Sequence, residues 1–311
     1  LATVTVSTAP SLGWCCNPSG SFGDPHLTFA NGGKGDFRGS HGDVYAFISS
    51  PGYHFALRFN EADFVYAKPA EGLKQLVHGT FMTRAYWKIR TRVGRVLFIA
   101  ADAMAKGVLH ILTEPGSAHI HGEYMGPWER RIFDDVRIET RMLTAVVNTS
   151  MWEVNVTSKP IYALVAPFAN DTYESYHGRW EPDQRRLDIS IHGAFPQLDA
   201  HGVIGQSYQD TRVRNGKLDQ YDIEEATADT AYKFNVSSDG RLPPMTTSAQ
   251  AEGAIDGIYS DYQVKTPSET AFAYSRYDRT PVLSPEGTVL QTIFSAASEQ
   301  WDGTMGSIQS L

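Results

Sequence analysis

Apolar and polar residues alternate along much of the chain with the period of β-strands. In residues 54–59 every second side chain is large and apolar, and residues 86–92 repeat the pattern. Residues 96–101 form a continuous apolar run of strand length, which predicts a strand buried on both faces. Further strands, separated by turns rich in Gly, Pro, Asn and Asp, are predicted over residues 137–147, 152–156, 161–165 and 187–191. Short strands with polar turns predict an all-β fold, a mostly antiparallel sandwich or barrel with a few short helices.

Helical patterns are sparse by comparison. Residues 223–230 and 248–258 are predicted as short helices, and residues 286–301 as a C-terminal helix or a tail. We find no internal repeat and no clear linker. The predicted organisation is an N-terminal strand and cysteine-containing loop, a large β domain, and a C-terminal tail or helix, at residues 1–22, 23–280 and 281–311.

Composition and charge narrow the class of protein. The 311 residues are 41% hydrophobic and 20% charged, which is typical of a globular protein with a large core. The net charge of −8 argues against nucleic acid or an anionic membrane as a partner. No apolar run is long enough to predict a membrane span.

Several features predict secretion. The chain opens on Leu-Ala-Thr-Val-Thr-Val, which we interpret as the start of a mature form whose leader has been removed. Asn155 and Asn235 alternate with large apolar neighbours, so both side chains are expected to point to solvent, where a glycan could attach. The N-glycosylation sequons are Asn148-Thr-Ser, Asn155-Val-Thr, Asn170-Asp-Thr and Asn235-Val-Ser. The chain is therefore predicted to be an extracellular glycoprotein.

The two cysteines, Cys15 and Cys16, are adjacent. Neighbouring Cα atoms lie about 3.8 Å apart, whereas a disulfide normally spans roughly 4.4–6.8 Å, so a bridge between the two would be strained. The alternatives are two thiols, or an intermolecular disulfide that tethers this segment to another chain. In each case the fold itself must rest on its hydrophobic core.

Three short motifs occur in the order found in a known family. They are Gly23-Asp-Pro-His26, Asp36-Phe-Arg-Gly39 and His201-Gly-Val-Ile-Gly-Gln206. They resemble motifs of von Willebrand type D domains and of the C-terminal domain of inter-α-trypsin inhibitor heavy chains. A closer similarity, over about residues 20–280, is to predicted extracellular proteins of single-celled marine algae, and it includes the run Phe272-Ala-Tyr-Ser-Arg276. The cysteine framework of type D domains is absent, so their disulfide-driven multimerisation does not carry over.

The resemblance implies bond cleavage at the opening motif. In the resembled families the Asp-Pro bond can break. Here the Asp24 carboxylate would attack its own carbonyl, Pro25 would supply the leaving group, and His26 would assist proton transfer. The alternative is a turn, in which Gly and Pro set the backbone and Asp24 accepts backbone hydrogen bonds.

The resemblance also implies a calcium site. Type D domains bind Ca²⁺ where the loop after the Gly-Gln motif meets the Phe-Asp-Gly turn, and Ca²⁺ takes carboxylate and amide oxygens. The alternative is a solvated acidic loop. The candidate ligands are Asn31, Asp36, Asp210, Asn215, Asp219 and Asp222.

Two further patterns carry less chemistry. His119, His121 and Glu123 could share one face of a strand and converge on Zn²⁺, or they could be surface residues near a turn. Ser207 follows Gly205, but Gln209 stands where a nucleophile elbow needs glycine. We therefore predict no catalytic site, with self-cleavage between Asp24 and Pro25 as the one candidate reaction.

The predicted function is that of an extracellular structural or interaction component in a matrix, surface layer or filament, stabilised by Ca²⁺ if the calcium site forms. Its expected partners are other extracellular chains or further copies of itself. The alternative is a glycan-binding module or carbohydrate-active enzyme, in which exposed aromatic residues stack on sugars. For the structural function, exposed aromatic residues could serve an interface with other chains, and the candidates are Trp128, Trp180 and Trp301.

Overall fold

The chain folds into two antiparallel β-sheets that share one hydrophobic core. The computed structural model describes residues 18–23, 25–68, 73–103, 109–113, 123–161, 185–194, 199–209, 212–216, 223–225 and 256–279. The all-β prediction is confirmed, because these residues form a sandwich of two sheets and contain no helix of seven residues or more. None of the described helices is long and apolar enough to cross a membrane.

The first sheet is built from two separate segments of the chain, residues 19–36 and residues 130–193. In chain order its strands are β1 (Ser19–Phe22), β2 (His26–Thr28), β3 (Lys34–Asp36), β10 (Arg130–Phe133), β11 (Val136–Arg141), β12 (Thr144–Asn148), β13 (Trp152–Pro160) and β14 (Arg185–Gly193). Their order across the sheet is β10-β11-β12-β13-β14-β1-β2-β3. The pairing of β1 with β14 joins segments that lie far apart in the sequence.

The second sheet is a meander closed by a distant edge strand. Its strands are β4 (Val44–Ser50), β5 (Tyr53–Lys68), β6 (Leu73–Arg90), β7 (Val96–Asp102), β8 (Leu109–Thr113), β9 (Glu123–Met125) and β16 (Gln263–Val264), in the order β16-β4-β5-β6-β7-β8-β9. A short strand β15 (Ile223–Glu225) pairs with β6. A 3-10 turn at Gly205–Tyr208 ends the loop that begins at His201. A second 3-10 turn, at Tyr259–Tyr262, directly precedes β16.

The core lies between the facing sides of the two sheets. Alternation in β5 directs Phe55, Leu57 and Phe59 into it, as the pattern predicts, and β7 is buried along six of its seven residues. Trp152 of β13 is completely buried and crosses to the second sheet, where its indole N–H donates to the hydroxyl of Ser50 at 2.8 Å.

Two predictions of secondary structure are wrong. Residues 137–147 are not one strand, because the chain reverses at Met142 and Leu143 between β11 and β12. These two apolar side chains lie in an exposed turn, so hydrophobicity there did not report burial. Of the helix predicted over residues 223–230 only 223–225 are described, and these form a strand, since pairing with β6 overrides a weak local preference.

Two other predicted helices lie mostly outside the described residues. Of residues 248–258 only 256–258 are described, and these three are not helical. The predicted C-terminal helix or tail at 286–301 lies wholly outside the described part of the chain.

Candidate functional site

The motif of residues 201–206 forms a loop that pairs with the edge of β4. His201 and Ser49 exchange two backbone hydrogen bonds, with N···O distances of 2.8 and 2.7 Å. Phe47 occupies a bulge in β4, and its carbonyl accepts the amide of Ile204 at 3.1 Å. The loop therefore continues the second sheet past the two residues of β16 and covers an edge that would otherwise be open.

Gly202 allows the loop to approach this edge. Its φ is +108°, a backbone conformation that residues other than glycine rarely adopt. A Cβ atom at this position would lie 2.6 Å from the carbonyl oxygen of Phe47. The first glycine of the motif is thus required by close backbone contact.

Gln206 fastens the loop to a second distant segment. Its amide nitrogen donates to the carbonyls of Gly202 and Val203, both at 3.2 Å. Its amide oxygen accepts the backbone N–H of Asp256 at 2.8 Å. The buried Gln206 thus has a structural role in this loop.

The His201 ring lies in an aromatic stack beneath residues that follow Asp256. Its centroid is 4.4 Å from that of Tyr274 with the planes 7° apart, and 5.8 Å from that of Tyr262 with the planes 13° apart. The Nε2 atom of His201 lies 3.5 Å from a carboxylate oxygen of Asp256. The loop, this histidine and the residues after position 256 therefore form one packed cluster.

The surroundings of His201 keep its imidazole neutral at neutral pH. Burial, together with the positive charges of Arg276 and Arg279, lowers the pKa of His201 to about 4, although Asp256 acts in the opposite direction. Asp256 is itself held by Arg214, whose Nη2 lies 3.0 Å from the carboxylate.

Ser207 also connects this loop to a distant segment, through Ala30. Its hydroxyl donates to the carbonyl of Ile204 at 2.6 Å and accepts the amide of Ala30 at 3.0 Å. Both hydrogen-bonding functions are therefore committed to the backbone, in keeping with the departure of Gln209 from the nucleophile-elbow pattern.

The opening motif is organised by a histidine–aspartate pair. His26 and Asp36 face each other in the β2–β3 ladder, and their Nδ1 and Oδ1 atoms are 2.7 Å apart. The carbonyl of Pro25 accepts the amide of Phe37 at 3.0 Å. Asp24 lies outside the described residues, so cleavage of the Asp24–Pro25 bond stays a prediction. Intact-mass analysis after incubation at about pH 5 tests it, since only cleavage yields two fragments.

Three of the six candidate calcium ligands are described, and all three are hydrogen-bonded within the protein. The side-chain oxygen of Asn31 accepts the amide of Gly33, and that of Asn215 accepts the amide of Lys34, both at 3.0 Å. Asp36 is paired with His26. Among the described residues no group of three or more His, Cys, Asp or Glu could hold a metal ion. Calcium binding stays a prediction, because the rest of the set lies outside those residues: Asp210, Asp219 and Asp222.

Two sequon asparagines lie side by side on the outer face of the first sheet. Val154 and Val156 are buried, while Asn155 between them is half-buried and points away from the core. The amides of Asn148 and Asn155 donate to the two carboxylate oxygens of Glu153, at 2.7 and 3.4 Å. Both sequons therefore present their asparagine from one rigid surface.

The other predicted site residues lie outside the part of the chain whose structure is described. This group contains the two cysteines, two sequon asparagines, the candidate zinc histidines and two tryptophans: Cys15, Cys16, Asn170, Asn235, His119, His121, Trp180 and Trp301. For Glu123 only the backbone is described.

Sequence reasoning missed the partners of His201. Asp256, Tyr262 and Tyr274 are separated from it by more than fifty residues, and no spacing rule connects them to position 201. Tyr274 does fall in the run 272–276 that carried part of the resemblance. His54, which is completely buried in β5, was also missed, because strand alternation made it a polar position.

Comparison with models of known protein families finds no match, and comparison with curated protein sequences finds none either. The resemblance to von Willebrand type D domains therefore stays a prediction from the three motifs.

Proposed function

We propose that the protein is a secreted glycoprotein that serves as an extracellular structural or interaction component. The β-sandwich supplies a rigid body, and the motif loop acts within it as a structural clamp. The assembly would be a matrix, a surface layer or a filament, built from other extracellular chains or from further copies of this one.

The observation that carries the proposal is the pair of asparagines beside Glu153. Asn148 and Asn155 lie on neighbouring strands, β12 and β13, near the middle of the first sheet. Glycans attached there would cover the centre of this face. Contacts with other chains would then involve the edges of the sheet and the opposite side of the sandwich.

Glycosylation is tested by expression through a secretory pathway, followed by mass analysis before and after enzymatic glycan removal. Thr157→Ala destroys the sequon of Asn155, whereas Thr157→Ser keeps it and serves as the matched control. We expect the glycan at Asn155 to be lost only in the alanine variant. A secreted wild-type chain without glycans at Asn148 and Asn155 would refute this part of the proposal.

Assembly is tested by the size of the native protein after gentle purification. Analytical ultracentrifugation of the wild type and of the Cys15→Ser and Cys16→Ser variants should show a large species that depends on one of the thiols. A strictly monomeric wild type with two reduced cysteines would count against a structural role.

One observation favours glycan binding as a second candidate function. Trp128 is 71% exposed and has a φ of +67°, which is strained for a bulky residue by about 1–3 kcal/mol. Thr140 holds the turn: its hydroxyl donates to the carbonyl of Gly126 at 2.5 Å, and it exchanges further hydrogen bonds with Glu129. An exposed ring held in this way suits stacking on a sugar.

Binding to an array of immobilised glycans distinguishes the two functions. If Trp128 stacks on a sugar, Trp128→Ala should abolish binding. Ile132→Ala removes an apolar side chain of similar exposure nearby in the chain and should leave binding intact. The same signal in the wild type and in Trp128→Ala would eliminate this candidate.

A further inference from the structure

Residues 256–279, which we call the strap, pack on the protein in two ways: Tyr259 and Tyr262 join the main core, and Val264 and Phe272 cover apolar residues on the outer face of the second sheet. Val264 in β16 pairs with Val44 at the edge of β4. Phe272 packs on an apolar cluster that lies on the side of the sheet away from the core, formed by Val44, Ala46, Ala56, Tyr86, Ala100 and Val264. The strap therefore shields apolar surface that the first sheet does not reach.

His54 lies beneath the middle of the strap. It has no exposed surface, and its ring is 6.2 Å from that of Phe272. Neither ring nitrogen has a well-formed hydrogen bond to a described residue, and Lys88 lies opposite it in the β5–β6 ladder. Lys88 is also committed to the strap, since its ammonium group donates to the carbonyl of Ser268 at 3.3 Å.

His201 lies beneath two other parts of the same strap. Its ring stacks on Tyr274 and Tyr262, and the strap residue Asp256 is 3.5 Å from its Nε2 atom. The two buried histidines thus contact the strap at separate places.

Both imidazoles must be neutral while the strap is docked. Burial and, to a smaller extent, the charge of Lys88 lower the pKa of His54 to about 3, and the backbone of Pro267 opposes the shift. Burial likewise lowers the pKa of His201 to about 4. A histidine exposed by undocking returns to an ordinary pKa near 6.5 and takes up a proton more readily.

The charged groups that face each histidine determine whether protonation of its imidazole is disfavoured in the docked state. Among the described residues, the charged group that affects the pKa of His54 is Lys88, and its charge is positive. His201 meets Arg276 and Arg279, and Asp256 is the opposing anion. Asp256 is half exposed and already paired with Arg214, so it compensates an imidazolium only in part.

We propose that the strap is released by acid: protonation of His54 and His201 undocks residues 256–279 and uncovers the apolar outer face of the second sheet. Each histidine stabilises the docked state fully above its ordinary pKa, and this stabilisation is lost as the pH falls from that value towards the depressed one. From about pH 7 to about pH 5, each histidine should raise the opening constant roughly 20-fold, and the two together roughly 500-fold.

Hydrogen exchange read by mass spectrometry measures strap opening directly. After correction for intrinsic exchange rates, peptides from the strap should lose protection between about pH 7 and about pH 5, with a steepest slope of about two protons per opening. Peptides from β12 and β13 should stay protected over the same range. A flat strap profile in the wild type would overturn the proposal, and so would parallel loss of protection in the strap and in β13.

Substitutions of the two histidines test whether they cause the pH dependence of strap opening. His54→Gln and His201→Gln should each reduce the slope by about one proton, and the double variant should flatten it. His192→Gln is the matched control, because His192 is half-buried on the outer face of the first sheet, beside Ser190. An unchanged slope in the double variant would refute the assignment. If the double variant does not fold, the wild-type profile alone still decides whether the strap opens with proton uptake.

Discussion

Replacing Trp152 with phenylalanine should weaken the connection between the two sheets. The substitution removes the hydrogen bond from the indole N–H to Ser50, which is 2.8 Å long and buried. It also shortens a ring that stacks on Tyr53 at 5.9 Å and meets Tyr208 edge-on at 4.9 Å. A lost buried hydrogen bond costs about 1 kcal/mol, and the cavity and the lost ring contacts add about 1–3 kcal/mol. We expect the free energy of unfolding to fall by about 2–4 kcal/mol.

Urea denaturation followed by far-ultraviolet circular dichroism measures this change. Trp128→Phe is the matched control, since it alters the same residue type at a position that is 71% exposed, and it should change stability by less than about 0.5 kcal/mol. Equal effects of the two substitutions would show that Trp152 does not join the sheets.

Three other predictions concern the clamp, the sheet contact and calcium. Gly202→Ala should destabilise the fold by about 1–3 kcal/mol in the same denaturation assay, because its Cβ would collide with Phe47; a neutral result would contradict the close approach. Ser158→Ala should cost about 1–3 kcal/mol, because the buried hydroxyl donates to the carbonyl of Ala103 across the sheets, whereas Thr144→Ala on the outer face should cost much less. Addition of Ca²⁺ should raise the melting temperature relative to EDTA, and no shift and no heat of binding would refute the calcium site.

Local patterns were sufficient for several strands and for the direction of their side chains. The alternation in residues 54–59 placed Leu57 on the core face, and its neighbour Ala56 belongs to the apolar cluster on the opposite face. The alternation in residues 152–156 likewise placed Val154 inside and Asn155 outside. Both predictions succeed because successive side chains of any strand point to opposite sides of the sheet.

The same local patterns failed where apolar residues serve a turn. Met142 and Leu143 lie within residues 137–147, which were predicted as a strand, yet they form the exposed reversal between β11 and β12. The helix prediction at Ile223–Glu225 failed for a different reason, because the secondary structure of this segment depends on its pairing with β6 and not on its own conformational preference.

The sequence by itself determined the all-β class, the strand faces and the outward direction of Asn155, because these follow from a two-residue period that each strand carries alone. Only the tertiary structure decided that β1 pairs with β14, that residues 201–206 close the edge of β4, and that the strap buries His54 and His201. These contacts join segments far apart in the chain, and they form because buried backbone groups and apolar faces must find partners wherever the fold brings them together.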